Sequence, residues 1–296
     1  MQNKKEYLKF IISMLIFGSN GLYVMNIALT SAQIVLTRTF FGSLVLLIVV
    51  LISRDKTLRS IKSDLVPVLI SGVCLGVNWI LLFEAYRYAS VSIGTLVYYC
   101  GPIIVMALTP LIFKEKLTWN KLVAIAAVAG GMVCITGVAG AAGASMKGIL
   151  FGGAAALLYA TLIISNKFIK NLSGVASTLV QLVIGFVVVL IYLLFKGEFP
   201  FMVATVKELV LVLILGVVNS GLACYLYFSS MQKLPGQTVA LSCYLDPLST
   251  VLFSAAFLHE VLTPLQILGA ALILGGALFG EMRLKKKKDP AEQSAE

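Results

Sequence analysis

The chain has 296 residues, 59% of them apolar and only 12% charged, where an ordinary soluble domain carries about 25% charge. That composition excludes a soluble globular protein and predicts helices that sit in lipid. The balance of 23 basic against 13 acidic residues, a net charge of +10, would suggest nucleic acid in a soluble chain, but here the basic residues gather between apolar runs, where they set orientation. No nucleic-acid partner is expected.

In chain order, apolar runs begin near Lys9, Ala32, Leu65, Ser90 and Asn120, and then near Lys147, Ala176, Lys207, Gly236 and Pro264. Lys4, Lys5 and the stretch from Leu8 to Phe17 resemble a secretory leader, yet Asn20 to Thr30 lengthen this run to a full span. If both termini are cytoplasmic, 18 of the 23 basic residues lie inside. Only Arg87, Lys147, Lys196 and Lys207 fall outside, with Arg38 left within a span. The opposite assignment reverses this asymmetry, so the expected topology has cytoplasmic ends in a prokaryotic plasma membrane. The five cysteines, Cys74, Cys100, Cys134, Cys224 and Cys243, all lie in apolar runs without a CxxC pair or a neighbouring histidine. They read as small core residues, and no metal site is expected.

Sliding the second half over the first by 145 residues aligns Leu81 with Leu226, Phe83 with Phe228, Tyr99 with Tyr244, Pro102 with Pro247 and Glu115 with Glu260. Gly130-Gly131 falls on Gly275-Gly276 at the same offset, while Phe17 meets Tyr159 and Gly42 meets Gly185 at slightly smaller ones. The expected organisation is therefore a first five-helix repeat over 1–140, a second over 141–282 and a basic cytoplasmic tail over 283–296. An odd number of spans per repeat turns the second copy over, as in many secondary transporters. The fold expected is an all-α polytopic membrane protein of ten transmembrane helices in two inverted five-helix repeats.

The run Ala85-Tyr86-Arg87-Tyr88-Ala89-Ser90, then Pro102, Phe113-Lys114-Glu115-Lys116-Leu117 and the glycine pair of the fifth span resemble the EamA family of the drug/metabolite transporter superfamily. The second copy carries the pattern as Leu245-Asp246-Pro247, Leu258-His259-Glu260-Val261-Leu262 and Gly275-Gly276. The resemblance runs from about Lys9 to Gly280. It implies ten spans, a cavity lined by spans 1, 3, 4, 6, 8 and 9, rocking of the two halves, and export of amino acids, nucleosides, drugs or other small metabolites. Relatives commonly carry Glu where this chain has Asp246.

Polar groups inside a span are costly in hydrocarbon and are expected to face a cavity or a partner. In the ninth span Thr238, Ser242, Asp246 and Ser249 share one helical face, and Pro247 loosens the backbone beside Asp246. Asp246 is read as a substrate-amine acceptor and a coupling group that exchanges a proton. The alternative is a buried aspartate that caps loosened backbone or pairs with Arg38. Asn20 and Tyr23 in the first span, Asn78 and Trp79 in the third, Tyr98 and Tyr99 in the fourth and Tyr159 in the sixth are read as substrate-binding. Asn219 and Tyr227 in the eighth span and Ser242 and Tyr244 in the ninth complete that set; packing is the alternative for each. The aromatic members would form a wall that stacks on rings or attracts a cation. Pro102 and Pro247, at matched positions, are expected to mark bending points that gate the cavity. Arg38, about two turns into its span, either binds a substrate carboxylate or is a structural arginine.

Glu115 and Glu260 are expected to cap helices or pair at the interface, and Glu84 to pair with Arg87. No P-loop, GxSxG or HExxH motif is present, so an enzyme is not expected, and no cofactor is. The expected function is a secondary transporter of small amphipathic metabolites, amino acids or related amines, working by alternating access. A broad drug or organic-cation exporter is the alternative within transport, and a passive pore or lipid-handling protein is the alternative outside it. The partners expected are a small-molecule substrate and membrane lipids, with the chain a monomer.

Overall fold

The computed structural model describes residues 2–113, 118–137, 145–198, 205–231, 233–234 and 243–281. Regular structure among them is entirely helical, as a backbone in hydrocarbon requires: each helix satisfies its own N–H and C=O groups. The elements are α1 (Gln2–Gly18), α2 (Asn20–Met25), α3 (Ser31–Ile52), a 3-10 turn (Thr57–Asp64), α4 (Leu65–Ala89), α5 (Val91–Tyr98), α6 (Gly101–Phe113) and α7 (Trp119–Gly137). There follow α8 (Met146–Asn166), α9 (Gly174–Lys196), α10 (Val206–Leu213), a π-helix (Ile214–Leu222), α11 (Ala223–Met231), α12 (Leu245–Phe257) and α13 (Pro264–Glu281).

Seven helical stretches are long and apolar enough to cross a membrane, and three shorter apolar helices, Trp119–Cys134, Leu245–Phe257 and Pro264–Gly280, accompany them. At 1.5 Å per residue the longest of these three covers about 26 Å, short of a hydrocarbon core of about 30 Å. The chain is a multi-pass membrane protein.

Side-chain oxygens mark the helix starts. Thr30 and Gln33 form a reciprocal capping box at α3, and Ser90, Ser145, Ser173 and Thr205 accept from backbone N–H groups at the starts of α5, α8, α9 and α10. Gly197, in the left-handed region at φ 68°, closes α9.

Helix α4 packs on α8 and α9, α3 on α9 and the π-helix, α7 on α13, and α1 on α11 and α12, while α5 touches α8 and α12. Close approach rests on glycine, as helix pairs in lipid commonly require: a Cβ on Gly76 would lie 3.1 Å from the backbone of Gly185. Gly72 and Gly76, four residues apart, both press on α9. Gly216 and Gly221 press on Phe41 and Val45 of α3 in the same manner, although they are five residues apart. A spacing of five keeps one face only where the turn widens to the i→i+5 pattern, and the π-helix spans both glycines.

Side chains tie distant loops together at two ends. At the end carrying 53–64 and 167–173, Asp64 accepts from the backbone N–H groups of Lys170, Asn171 and Leu172 and from Asn171 Nδ2, at 2.7 to 3.2 Å. Asp55 accepts there from Ser173 and Thr57. At the other end Glu260 receives the N–H groups of Val91 and Ser92 at 2.8 and 2.9 Å, capping α5 from across the fold. Arg87 donates to the Leu29 carbonyl and not to Glu84. Glu115 lies outside the described residues.

Candidate functional site

Four interruptions meet near the middle of the helices: the α1–α2 break at Ser19, the α5–α6 break at Tyr99 and Cys100, the π-helix, and the turn at Cys243 and Tyr244 that opens α12. Pro102 and Pro247 each sit in the first turn of the helix that follows a break, where a proline costs no donor and its ring excludes a regular preceding turn. The breaks thus fall just before the two prolines. Interrupted helices expose carbonyls, and asparagine amides take them up: Asn219 Nδ2 donates to the Ile16 carbonyl and Asn20 Nδ2 to that of Phe17, both at 2.7 Å; within the unbroken α4, Asn78 Nδ2 donates to the Cys74 carbonyl at 2.6 Å. Gly18 lets α1 close on α12, since a Cβ there would fall 1.9 Å from Ser249 Oγ.

Around these breaks lies a cavity of about 860 Å³, large enough for a small metabolite. One wall is aromatic. The rings of Tyr98 and Tyr159 stack at 4.6 Å and 22°, and Tyr99 meets Tyr98 edge-on at 5.7 Å. The Tyr99 hydroxyl donates to Asp246 Oδ2, while Ser249 and Thr250 donate to the Asp246 carbonyl. Farther along, Tyr227 packs against Phe10 and Phe17 at 5.2 and 6.1 Å. Opposite in sign stands Arg38, buried to 2% exposure, its guanidinium 3.8 Å over the Trp79 ring and its Nε donating to Ser220 Oγ at 2.9 Å. Among the described residues Arg38 and Asp246 form no ion pair with one another. The lining runs out to the exposed Lys167 and to Ile169 and Leu172, at the Asp64 end; no residue of 26–30, 87–92 or 258–263 belongs to it.

Of the residues read from the sequence as substrate-binding, Asn20, Asn78, Trp79, Tyr98, Tyr99, Tyr159, Tyr227, Tyr244 and Asp246 all line this cavity, as does Pro102. Tyr23, Asn219 and Pro247 do not. Tyr23 packs on the apolar cluster of Val24, Ile34 and Leu82, because the break at Ser19 turns α2 out of the register of α1. Asn219 spends its amide on α1, and its Oδ1 is buried without a partner among the described residues. Ser242 and Thr238 lie outside the described residues. The lining also includes α9, through Ser177, Thr178 and Gln181, and α3, through Arg38. Neither helix is among the six spans that the resemblance implies. The signal for Gln181 was its place as a lone amide in the long apolar run of α9.

A family model described as the EamA-like transporter family matches residues 4–137 and again 146–280. Two relatives from Bacillus subtilis (strain 168) are similar along most of their length. The uncharacterized transporter YxxF is 29% identical over 290 residues, covering 97% of this chain and 92% of its own. The uncharacterized transporter YojE is 25% identical over 269 residues, covering 88% and 87%. A crystal structure 21% identical in sequence superposes with a TM-score of 0.63 over 93% of this chain and 96% of its own, a likeness of fold alone. With matched segments that together span nearly the whole sequence, the chain belongs to the EamA-like transporter family.

Proposed function

We propose that the chain is a secondary transporter of small amphipathic metabolites carrying an amine, amino acids foremost, and that it works as a monomer by alternating access in a prokaryotic plasma membrane. The observation that carries this reading is the central cavity, which among the described residues has a single acidic side chain beside stacked tyrosines and a lining that reaches the surface at one end only. A passive pore would continue to both. Proteins of the EamA-like family and the bacterial relatives are transporters, which supports the class; the placement of basic residues supports cytoplasmic termini and a cavity facing inward.

Two halves of five spans, 1–140 and 141–282, related by an inverted repeat, are supported by the packing. Exchanging spans one to five with six to ten turns the α4–α8 contact into the α11–α1 contact, and the α6–α8 contact into the α12–α1 contact. Such a pairing has two similar arrangements, one open to each side. In the cycle Asp246 accepts the substrate amine or a proton, and competition for one carboxylate couples the two fluxes. Pro102 and Pro247, beside the breaks, act as the gates.

Counterflow in proteoliposomes tests this, with labelled L-amino acids and labelled primary amines as probes. Exchange acceleration by unlabelled probe inside the vesicle is expected, and Asp246→Asn, folded normally, is expected to lower the rate by about tenfold to a hundredfold and remove its pH dependence. Uptake without acceleration in the parent would indicate a pore. Unchanged rates and pH profile in Asp246→Asn would leave the aspartate a structural residue. Bulky organic cations outcompeting amino acids would favour a broad exporter.

A further inference from the structure

The cavity holds a second charge that an amine does not use. Resting on the transporter reading above, we propose that Arg38 is the carboxylate-binding pole of the site, so that the substrate is a zwitterion held between Arg38 and Asp246 and not a simple amine.

Arg38 is a desolvated cation. Its Nε is taken by Ser220 Oγ and one face of its guanidinium lies on Trp79, with Phe83 at 5.4 Å. What remains to face the cavity that Arg38 lines is the edge carrying the two Nη nitrogens, and among the described residues neither donates to a protein acceptor. That edge is a planar fork of donors, which matches a carboxylate in two parallel bonds. Of the segments outside the described residues, only 114–117 and the tail from 282 contain acidic residues. The stretch 235–242 that precedes α12 contains none.

The second half of the chain supplies an internal comparison. With Gly42 set on Gly185, Arg38 falls on Gln181, which is also buried, at 4% exposure, and also lines the cavity. Gln181 Nε2 donates to Asn166 Oδ1 and to Ser177 Oγ, both at 2.9 Å. A neutral amide bonded within the protein therefore suffices to pack a helix at that register. The cation in α3 carries a desolvation cost that packing does not demand, and a bound anion offsets it. One guanidinium balances one carboxylate; a phosphate dianion would leave a charge unmatched. With Asp246 at the other pole, a ligand of net charge zero leaves the two buried poles balanced; Lys167, the other charged residue of the described lining, is exposed to solvent.

The test uses the full-length protein in detergent and in proteoliposomes. The probes are L-leucine, its methyl ester and 3-methylbutylamine, and L-phenylalanine, its methyl ester and phenethylamine. Each ester and amine keeps the cation and lacks the carboxylate. In the parent, the free amino acid of at least one set is expected to bind about tenfold to a hundredfold tighter than its own ester and amine. Arg38→Gln is expected to erase that ratio while leaving amine binding in place, which also shows that the variant is folded, and Arg38→Lys to retain part of it. Esters and amines that bind as tightly as the acids in the parent, or a ratio preserved in Arg38→Gln, would overturn the carboxylate role and leave the carrier reading standing. No binding and no counterflow with any probe would overturn both.

Discussion

Near the starts of α4 and α10 stand two acidic residues, Asp64 and Glu208, separated by nearly the repeat offset, and each reaches across to the turn that precedes a helix in the other half. Asp64 gathers three successive N–H groups and the Asn171 amide, whereas Glu208 reaches the Ala28 N–H at 3.4 Å. The turn at 170–172 presents its N–H groups as a concave nest for one carboxylate; the chain at 26–30 presents Ala28 N–H toward Glu208 and gives its Leu29 carbonyl to Arg87. The same acidic placement is therefore worth as much as the turn opposite allows. It is also at the Asp64 end that the cavity lining reaches exposed residues.

Removing the two carboxylates separately is the strongest way to break this comparison. Asp64→Ala removes the acceptor of three part-buried backbone donors and of the Asn171 amide at once and should cost about 1–3 kcal/mol of stability, whereas Glu208→Ala, at an exposed pair, should cost less than about 1 kcal/mol. Thermal unfolding of the two purified variants measures both, and equal losses would mean that the ends are equally tied.

The prolines address the matched parts of the two halves. Pro102→Ala and Pro247→Ala should each slow counterflow by about tenfold, or about 1.4 kcal/mol on the barrier, with a smaller change in substrate affinity. A loss in one variant alone would show that the two breaks are not equivalent gates.

The smallest effect is an acid one. Burial pushes the Asp55 carboxyl up, but the Ser173 hydroxyl and the Thr57 N–H and hydroxyl pull harder and hold it below its ordinary 3.8. Because folding lowers it, its contribution is complete above pH 3.8 and fades as pH falls through the lowered value. Unfolding temperature followed from pH 6 to pH 3 should drop less steeply in Asp55→Asn than in the parent; identical slopes would remove Asp55 from the tie.

Much of the cavity wall was legible along the chain because polar and aromatic residues are conspicuous in apolar runs. Asp246, Tyr99, Asn78 and Tyr159 stood out in this way, and so did Arg38. The use each makes of its polar atoms was not legible. The partner of Arg38 is Ser220, 182 positions away, and the amide of Asn219 closes on a carbonyl 203 positions earlier. Tyr23 was misplaced because the one-residue helix break at Ser19 turns α2 out of the register of α1. The capping of α5 by Glu260, 169 positions later, is likewise a product of the assembled fold, although capping as such was the expectation for that residue.

The sequence by itself determined the membrane class, the apolar runs, the duplicated pattern and the two prolines beside which helices are interrupted. All of these are local quantities: hydrophobicity summed over a span, glycine and proline at fixed places, and charge at the ends. Only the tertiary structure decided which face of each helix looks into the cavity. In lipid both the outside and the packed inside of a helix are apolar, so the pattern that orients an amphipathic helix in water carries little orientation here. The facing is set instead by glycine contacts, by the π-helix that absorbs one extra residue between Gly216 and Gly221, and by amides that find carbonyls freed in another helix.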